Sequence, residues 1–195
     1  MRATTLLNRV LCLPKTTVHD VEFGDVVTLW VRPQQRVMSC PHCDFRTRHR
    51  YDTRAVESAW RHLDLGGRVC VLKLRRRRVH CPEHGVLAES VPFARPGSGF
   101  TRDFEELAVW LATKCDKKTV AAFCRVAWRT VGAMCSRIVA ERLDDDRLAT
   151  LVDIGVDEIS WRKHHKYLTL VSDHETGKIV WGAPGKKAAT LDRFF

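Results

Sequence analysis

Two short pieces constrain this chain more than anything else in it. Cys40-Pro41-His42-Cys43 and Cys81-Pro82-Glu83-His84-Gly85 each carry two metal-ligating side chains separated by two residues. Tetrahedral zinc takes four sulfur or nitrogen donors, and a Cys-x-x-Cys turn lets two thiolates reach one ion without strain. Cys43 and Cys81 stand 38 positions apart, which exceeds the usual finger spacing, so a β-rich insertion has to fill the gap. Cys40, Cys43, Cys81 and His84 are therefore the predicted ligands of one structural Zn2+, with His42 and His80 as alternative donors for the fourth position. Four protein ligands leave no open site for water, which argues against hydrolysis at this ion. Cys12, Cys70, Cys115, Cys124 and Cys135 lie on apolar patterns and read as core thiols.

The rest of the chain divides by pattern. Residues 18–32 are rich in β-branched residues and read as one or two strands. Val69-Cys70-Val71-Leu72-Lys73-Leu74 reads as another, entered through a tight Gly66-Gly67 turn. Pro92, Pro96, Gly97 and Gly99 mark a linker. Beyond it Thr101 is a helix N-cap followed by acidic residues, and Phe104, Leu107, Ala108, Leu111 and Cys115 recur at helical spacing. A short helix from Lys118 to Cys124 and a longer one from Trp128 to Arg142 follow, the latter burying Val131, Met134, Cys135 and Ile138 with Trp128 as a core anchor. The acidic run Asp144-Asp145-Asp146 reads as a solvated joint. Three more strands then follow, near 152–159, 167–171 and 178–181, the last two joined by a hairpin loop at 174–177. The boundaries are thus 1–91 for a β-rich zinc-binding domain with its ligand core at 40–84, 92–100 for the linker, 101–143 for a helix-turn-helix and 152–195 for the final block.

Charge singles out one segment. The chain carries a net charge of +10, and residues 32–102 hold 15 Lys+Arg against 6 Asp+Glu. Such a concentration points to a polyanionic partner. Arg75, Arg76, Arg77 and Arg78 precede the second ligand pair, and Arg46, Arg48, Arg50 and Arg54 follow the first. A zinc-fixed hairpin would present them to phosphate, and in a helix-turn-helix the start of the third helix faces the major groove. Arg129, Thr130 and Arg137, with Ser136, are the candidate contacts there. No apolar run approaches the roughly 18 residues that span a bilayer. The first 14 residues read as folded protein and not as a signal peptide, so the expected location is the cytoplasm, with no membrane partner.

Asp153-Ile154-Gly155-Val156-Asp157-Glu158 sets carboxylates beside an apolar strand, where an unpaired buried charge is costly. Alternation puts Asp153, Gly155 and Asp157 on one face.

These motifs resemble, in order and spacing, the bacterial insertion-sequence transposases of the ISL-three type. The likeness is carried by Cys40-x-x-Cys43; Arg77-Arg78-Val79-x-Cys81-x-x-His84-Gly85; Val91-Pro92-Phe93-Ala94-Arg95-x-Gly97-Ser98-x-Phe100-Thr101; Ala127-Trp128-Arg129-Thr130-Val131; and Gly155-Val156-Asp157-Glu158-Ile159-Ser160-x-Arg162-Lys163-x-His165-x-Tyr167. The resemblance implies an α+β, multi-module chain: a β-rich zinc-binding domain, a three-helix helix-turn-helix and the first strands of an incomplete ribonuclease-H-like α/β domain. Asp157 then corresponds to the first catalytic carboxylate of a DDE centre, where Mg2+ or Mn2+ would serve phosphoryl transfer in the full-length domain. The expected partners are double-stranded DNA at transposon ends and a second copy or a full-length transposase. The second and third carboxylates are expected beyond Phe195, so the chain reads as an amino-terminal portion that binds terminal inverted repeats but lacks complete DDE chemistry. Two other readings compete: a stand-alone zinc and helix-turn-helix regulator, and a small nuclease built on Asp153, Asp157 and Asp173.

Overall fold

The computed structural model describes residues 2–143, 148–162 and 166–195. Asp144, Asp145 and Asp146, and Lys163 and His165 of the carboxylate motif, lie outside the described residues. The chain is a mixture of helices and strands that divides into two compact units, residues 1–140 and 141–195.

The first unit is organised by a four-stranded sheet. Strands β1 (Thr16–Phe23) and β2 (Val26–Pro33) form an antiparallel pair; β6 (Ser58–Leu65) and β7 (Arg68–Leu74) form a hairpin, and β2 and β7 pair in parallel, giving the order β1-β2-β7-β6. The predicted Gly66-Gly67 turn is present with positive φ at both residues, the geometry that a two-residue hairpin requires and that glycine adopts without strain. The central strands β2 and β7 read as apolar runs because both are flanked by neighbours, and Leu29, Cys70 and Leu72 are fully enclosed.

A helix, α1 (Ala3–Leu11), which the residue pattern had left unassigned, packs beside β1. The Asn8 amide side chain donates to the Val18 carbonyl and accepts from the Val18 amide, both at 2.8 Å, so it replaces a missing strand neighbour. Cys12 ends this helix in the left-handed region and is exposed, which corrects its assignment to the core: the C-cap position faces outward. Cys70 and Cys124 are buried as expected, and Cys115 and Cys135 are half-buried.

Residues 92–100, expected as a linker, are instead packed. Phe93 meets Trp60 edge to face at 5.1 Å, and Val91, Phe93 and Ala94 belong to the main core. The Gly and Pro residues shape a strap, which Arg61 of β6 holds through backbone bonds to Gly99 and Thr101.

Three helices follow: α2 (Arg102–Ala112), α3 (Lys117–Cys124) and α4 (Trp128–Arg142). Thr101 caps α2 by accepting from the Phe104 amide, and its hydroxyl lies 2.9 Å from Nδ1 of the buried His62 on β6. Burial pushes the His62 pKa down, so this histidine is held neutral. Stability from this site is therefore present at neutral pH and is lost as pH falls through the ordinary histidine range, where the unfolded chain takes up the proton. Thr101→Ala is expected to lower stability by about 1 kcal/mol in chemical denaturation, as loss of an N-cap does.

The helices close on Phe104, Ala108, Val120, Cys124, Val131 and Met134. Trp128, expected as a core anchor, is 54% exposed, and Val131, three positions on, takes the buried place on that turn. The Trp128 ring takes the Lys117 ammonium at 3.7 Å.

In the second unit, β10 (Ile154–Arg162), β11 (Lys166–Asp173) and β12 (Ile179–Pro184) form an antiparallel sheet in sequence order, followed by α5 (Ala188–Leu191). Val171 and Ala183 are its enclosed apolar residues.

Candidate metal centre and nucleic-acid interface

Four short strands carry the ligand pairs. Strands β3 (Met38–Ser39) and β4 (Arg46–Thr47) flank the first Cys-x-x-Cys turn, and β8 (Arg77–Cys81) and β9 (Gly85–Ala88) flank the second pair. Both turns are built for close approach of donors. The Cys40 amide donates to the Phe45 carbonyl and the His42 amide to the Cys40 sulfur, while Gly85 at φ 69° reverses the chain directly after His84.

The structure brings all four predicted ligands together. Their donor atoms lie within 4.8 Å of one another, with Cys43 Sγ to Cys81 Sγ at 3.6 Å, Cys81 Sγ to His84 Nδ1 at 3.6 Å and Cys40 Sγ to His84 Nδ1 at 3.8 Å. Tetrahedral bonds of about 2.3 Å to sulfur and about 2.0 Å to nitrogen require edges close to these values. The fourth member of this cluster is His84, with Nδ1 facing the sulfurs. His42 stacks beside it with ring centroids 5.4 Å apart, and the exposed His80 lies toward Tyr51. Among the described residues this is the one group of three or more Cys, His, Asp or Glu with metal-holding geometry. The Cys43 and Cys81 thiols are driven in opposite directions. At Cys43 the Phe45 amide favours the thiolate, but burial and the adjoining Cys81 and Cys40 sulfurs outweigh it and push the pKa up to about 11. Burial opposes ionisation of Cys81 too, yet hydrogen bonds from His84 and Glu83 prevail and lower it to about 6. A cation of charge two removes that conflict, and the Cys3His set is a closed, structural zinc site.

The arginine run beside the zinc site is largely engaged within the protein. Arg77 makes a two-pronged pair with the buried Glu89, at 2.8 and 2.5 Å, and donates to the Gln35 carbonyl. Arg78 grips Asp52 of β5 (Asp52–Thr53), which holds that carboxyl below its usual range and the guanidinium above its own. Arg76 lies over the Trp60 ring and donates to the Ser58 hydroxyl. Arg75 is exposed, 3.8 Å from Glu57. Arg77 and Arg78 were both expected to face phosphate; their bidentate carboxylate partners instead make them part of the scaffold.

The helical unit sorts its candidates in the same way. Arg129 is exposed and Thr130 half-buried on the first turn of α4. Arg137 departs from the expectation, since its guanidinium reaches inward to Glu105 at 2.9 and 2.5 Å. Glu105 is fully enclosed and also receives Arg95 at 3.1 Å and the Ser98 hydroxyl at 2.7 Å. Glu105 is one of the acidic residues in the first turn of α2, a place that also suits the helix dipole. Arg125, in the left-handed region between α3 and α4, donates to Asp64 and to the Gly67 carbonyl.

In the second unit Asp157 is exposed on β10, an edge strand, opposite Leu170 of β11. Its carboxylate accepts from the Glu158 amide at 2.7 Å. Asp173 pairs in register with Ile154, three positions along the strand from Asp157. Its oxygens cap the β11–β12 turn by accepting from the Glu175 amide and the Thr176 hydroxyl, and these bonds hold its pKa down. The nuclease reading needed Asp153, Asp157 and Asp173 to converge, and they form no metal-holding group among the described residues.

Comparison with known proteins agrees with this geometry. Residues 36–84 match the family described as zinc-finger of transposase IS204/IS1001/IS1096/IS1165, residues 89–139 the helix-turn-helix domain of transposase family ISL3, and residues 154–195 the transposase domain of the same family. The transposase for insertion sequence element IS1557 of Mycobacterium tuberculosis, found in two strains, is 42% identical over 205 residues, covering 100% of this chain and 46% of that protein. The transposase for insertion sequence element IS1001 of Bordetella parapertussis is 24% identical over 173 residues, covering 88% of this chain and 42% of its own length. The chain thus spans about half the length of the curated relatives it matches. No solved structure matches, and no helix among the described residues is long and apolar enough to cross a membrane. Three consecutive matches in the order of the motifs, on a chain whose Cys3His donors converge, make it similar along most of its length to insertion-sequence transposases of the ISL3 family.

Proposed function

We propose that this chain acts as the DNA-binding portion of a transposase and engages the terminal inverted repeats of an insertion sequence. The observation that carries this reading is the pairing of a closed Cys3His centre with three helices matched to the family's helix-turn-helix. In the proposed division, 1–91 is the zinc-binding domain, 92–100 the connecting strap, 101–143 the helix-turn-helix and 152–195 the opening of a ribonuclease-H-like DDE domain. The first turn of α4 enters the major groove, with Arg129 and Thr130 at base edges or phosphate. The exposed Trp128 opens that turn with the half-buried Lys117 against its ring, a position suited to the sugar-phosphate backbone. Arg137 serves the recognition helix indirectly, by fixing it to Glu105.

Asp157 is proposed as the first catalytic carboxylate. Two divalent ions at such a centre would activate the attacking oxygen and stabilise the leaving one. One exposed carboxylate does not hold that pair, so the chain by itself is expected to bind DNA without cutting it. Possible assembly partners are a second copy or a full-length transposase, in the bacterial cytoplasm at the nucleoid. A stand-alone regulator is not favoured, because residues 154–195 match the transposase domain.

The test is fluorescence anisotropy with a duplex carrying the element's terminal repeat and a scrambled duplex of equal length. The chain should prefer the repeat, and Arg129→Ala should reduce that preference by about 1–3 kcal/mol, the worth of one good base contact. Equal affinity for both duplexes, unchanged by Arg129→Ala, would remove the terminal-repeat reading.

A further inference from the structure

Between the zinc knuckle and the main sheet runs a groove of about 580 Å³ whose polar lining includes Arg54, Arg76, His42, Ser58, Ser90 and Ser98. Its charge is set by strand register. Strands β5 and β8 pair Asp52 with Arg78 and Thr53 with Arg77, and the Arg54 amide donates to the Arg76 carbonyl at 3.0 Å, which continues the ladder by one position. Arg54 therefore stands directly across from Arg76. Like charges in that relation repel.

The two neighbouring positions are neutralised, Arg78 by Asp52 and Arg77 by Glu89. The Arg54 guanidinium has no carboxylate in ion-pair contact among the described residues, and Glu57, the acidic residue on the groove's wall, is turned to Arg75. Arg76 meets only the Ser58 hydroxyl and the Trp60 face. Burial and the Arg54 charge both disfavour the Arg76 cation, with Glu89 partly offsetting them. Two forked donors facing one groove, ringed by serine hydroxyls and short of a counter-charge, have the chemistry of a phosphate site.

We propose that Arg54 and Arg76 form a clamp for a phosphate group, seating one backbone phosphate of duplex DNA in this groove, while Arg77 and Arg78 stay paired to Glu89 and Asp52. This rests on the DNA-binding reading above and narrows it to a residue pair. The clamp carries no base information, so its contribution is the same for every sequence.

The experiment uses the full chain with zinc bound and measures affinity for a scrambled duplex across a salt series, with unfolding midpoints taken in parallel. Arg54→Gln should weaken binding roughly tenfold and reduce the slope of log K against log salt by about 0.9, the worth of one phosphate contact. Its unfolding midpoint should hold or rise, because a repulsion is relieved. Arg9→Gln, which removes the same charge from the exposed face of α1, is the control and should leave the slope unchanged. Inorganic phosphate should raise the midpoint of the parent chain and not that of Arg54→Gln. An Arg54→Gln protein with the parent's slope and the parent's phosphate response overturns the clamp. If the parent chain binds no DNA, the DNA reading falls, and the phosphate arm alone decides between a clamp for a free phosphate group and none.

Discussion

Loss of zinc is expected to unfold the ribbon formed by β3, β4, β8 and β9 around the Cys3His cluster while the four-stranded sheet persists. Zinc binding by small Cys/His domains is worth about 10–16 kcal/mol at neutral pH, more than the handful of apolar residues on the short strands β3, β4, β8 and β9 can replace. Met38 and Val79 are buried there, but the main core of Val18, Leu29, Trp60 and Leu72 lies in the other sheet. Chelation, or Cys43→Ser, should therefore expose amides around 38–47 and 77–88 to hydrogen exchange, with protection in β2 and β7 retained. Metal analysis should give one zinc per chain. Because the three thiols must be deprotonated to bind, zinc-linked stability is present near neutral pH and is lost as pH falls. Equal protection of the ribbon with and without chelator would show that zinc does not hold it.

The second large effect is expected at Glu105. Its carboxylate is wholly enclosed and gathers Arg95 from the strap, Arg137 from α4 and Ser98. Removing one member of a buried ion-pair network leaves the others charged in a poor solvent and costs about 3–5 kcal/mol. Glu105→Ala should lower the unfolding midpoint by roughly 10 °C, and Arg137→Ala should lower it by less, since Arg95 still neutralises the acid. Adding Arg137→Met to Glu105→Ala should recover part of the loss, because Arg95 keeps Glu106 at 2.8 Å in the Glu105→Ala variant and it is Arg137 that loses its carboxylate there. A midpoint within 1 °C of the parent for Glu105→Ala would show that the network carries no stability. DNA affinity measured on the same variants separates fixing the recognition helix from touching the ligand. Arg137→Ala should weaken repeat binding only to the extent that it loosens α4.

How much was legible in advance depended on the range of the physics involved. The Cys3His cluster was readable because a two-residue spacing, a following glycine and the needs of a tetrahedral ion act over a few positions. The helix from Trp128 to Arg142 and the Gly66-Gly67 turn were readable for the same reason. Trp128 was misjudged because a large apolar residue at the start of a helix is enclosed only if another element covers it, and none of the described elements encloses it. The strap at 92–100 resembled a linker because proline and glycine disrupt regular structure without preventing burial of Phe93 and Ala94. Helix α1 was missed because its anchor, Asn8 on Val18, joins residues ten positions apart.

The arginines divide the two kinds of information most plainly. Their number, their position beside the zinc ligands and the net charge they confer are properties of the sequence. Whether each faces solvent or a carboxylate is set by strand register and helix packing, which bring Asp52 to Arg78 across 26 residues, Glu89 to Arg77 across 12 and Glu105 to Arg137 across 32. Local chemistry fixed the metal centre and the order of the modules. Only the tertiary structure decided which cations are neutralised, because charge pairing depends on distance in space and is indifferent to distance along the chain.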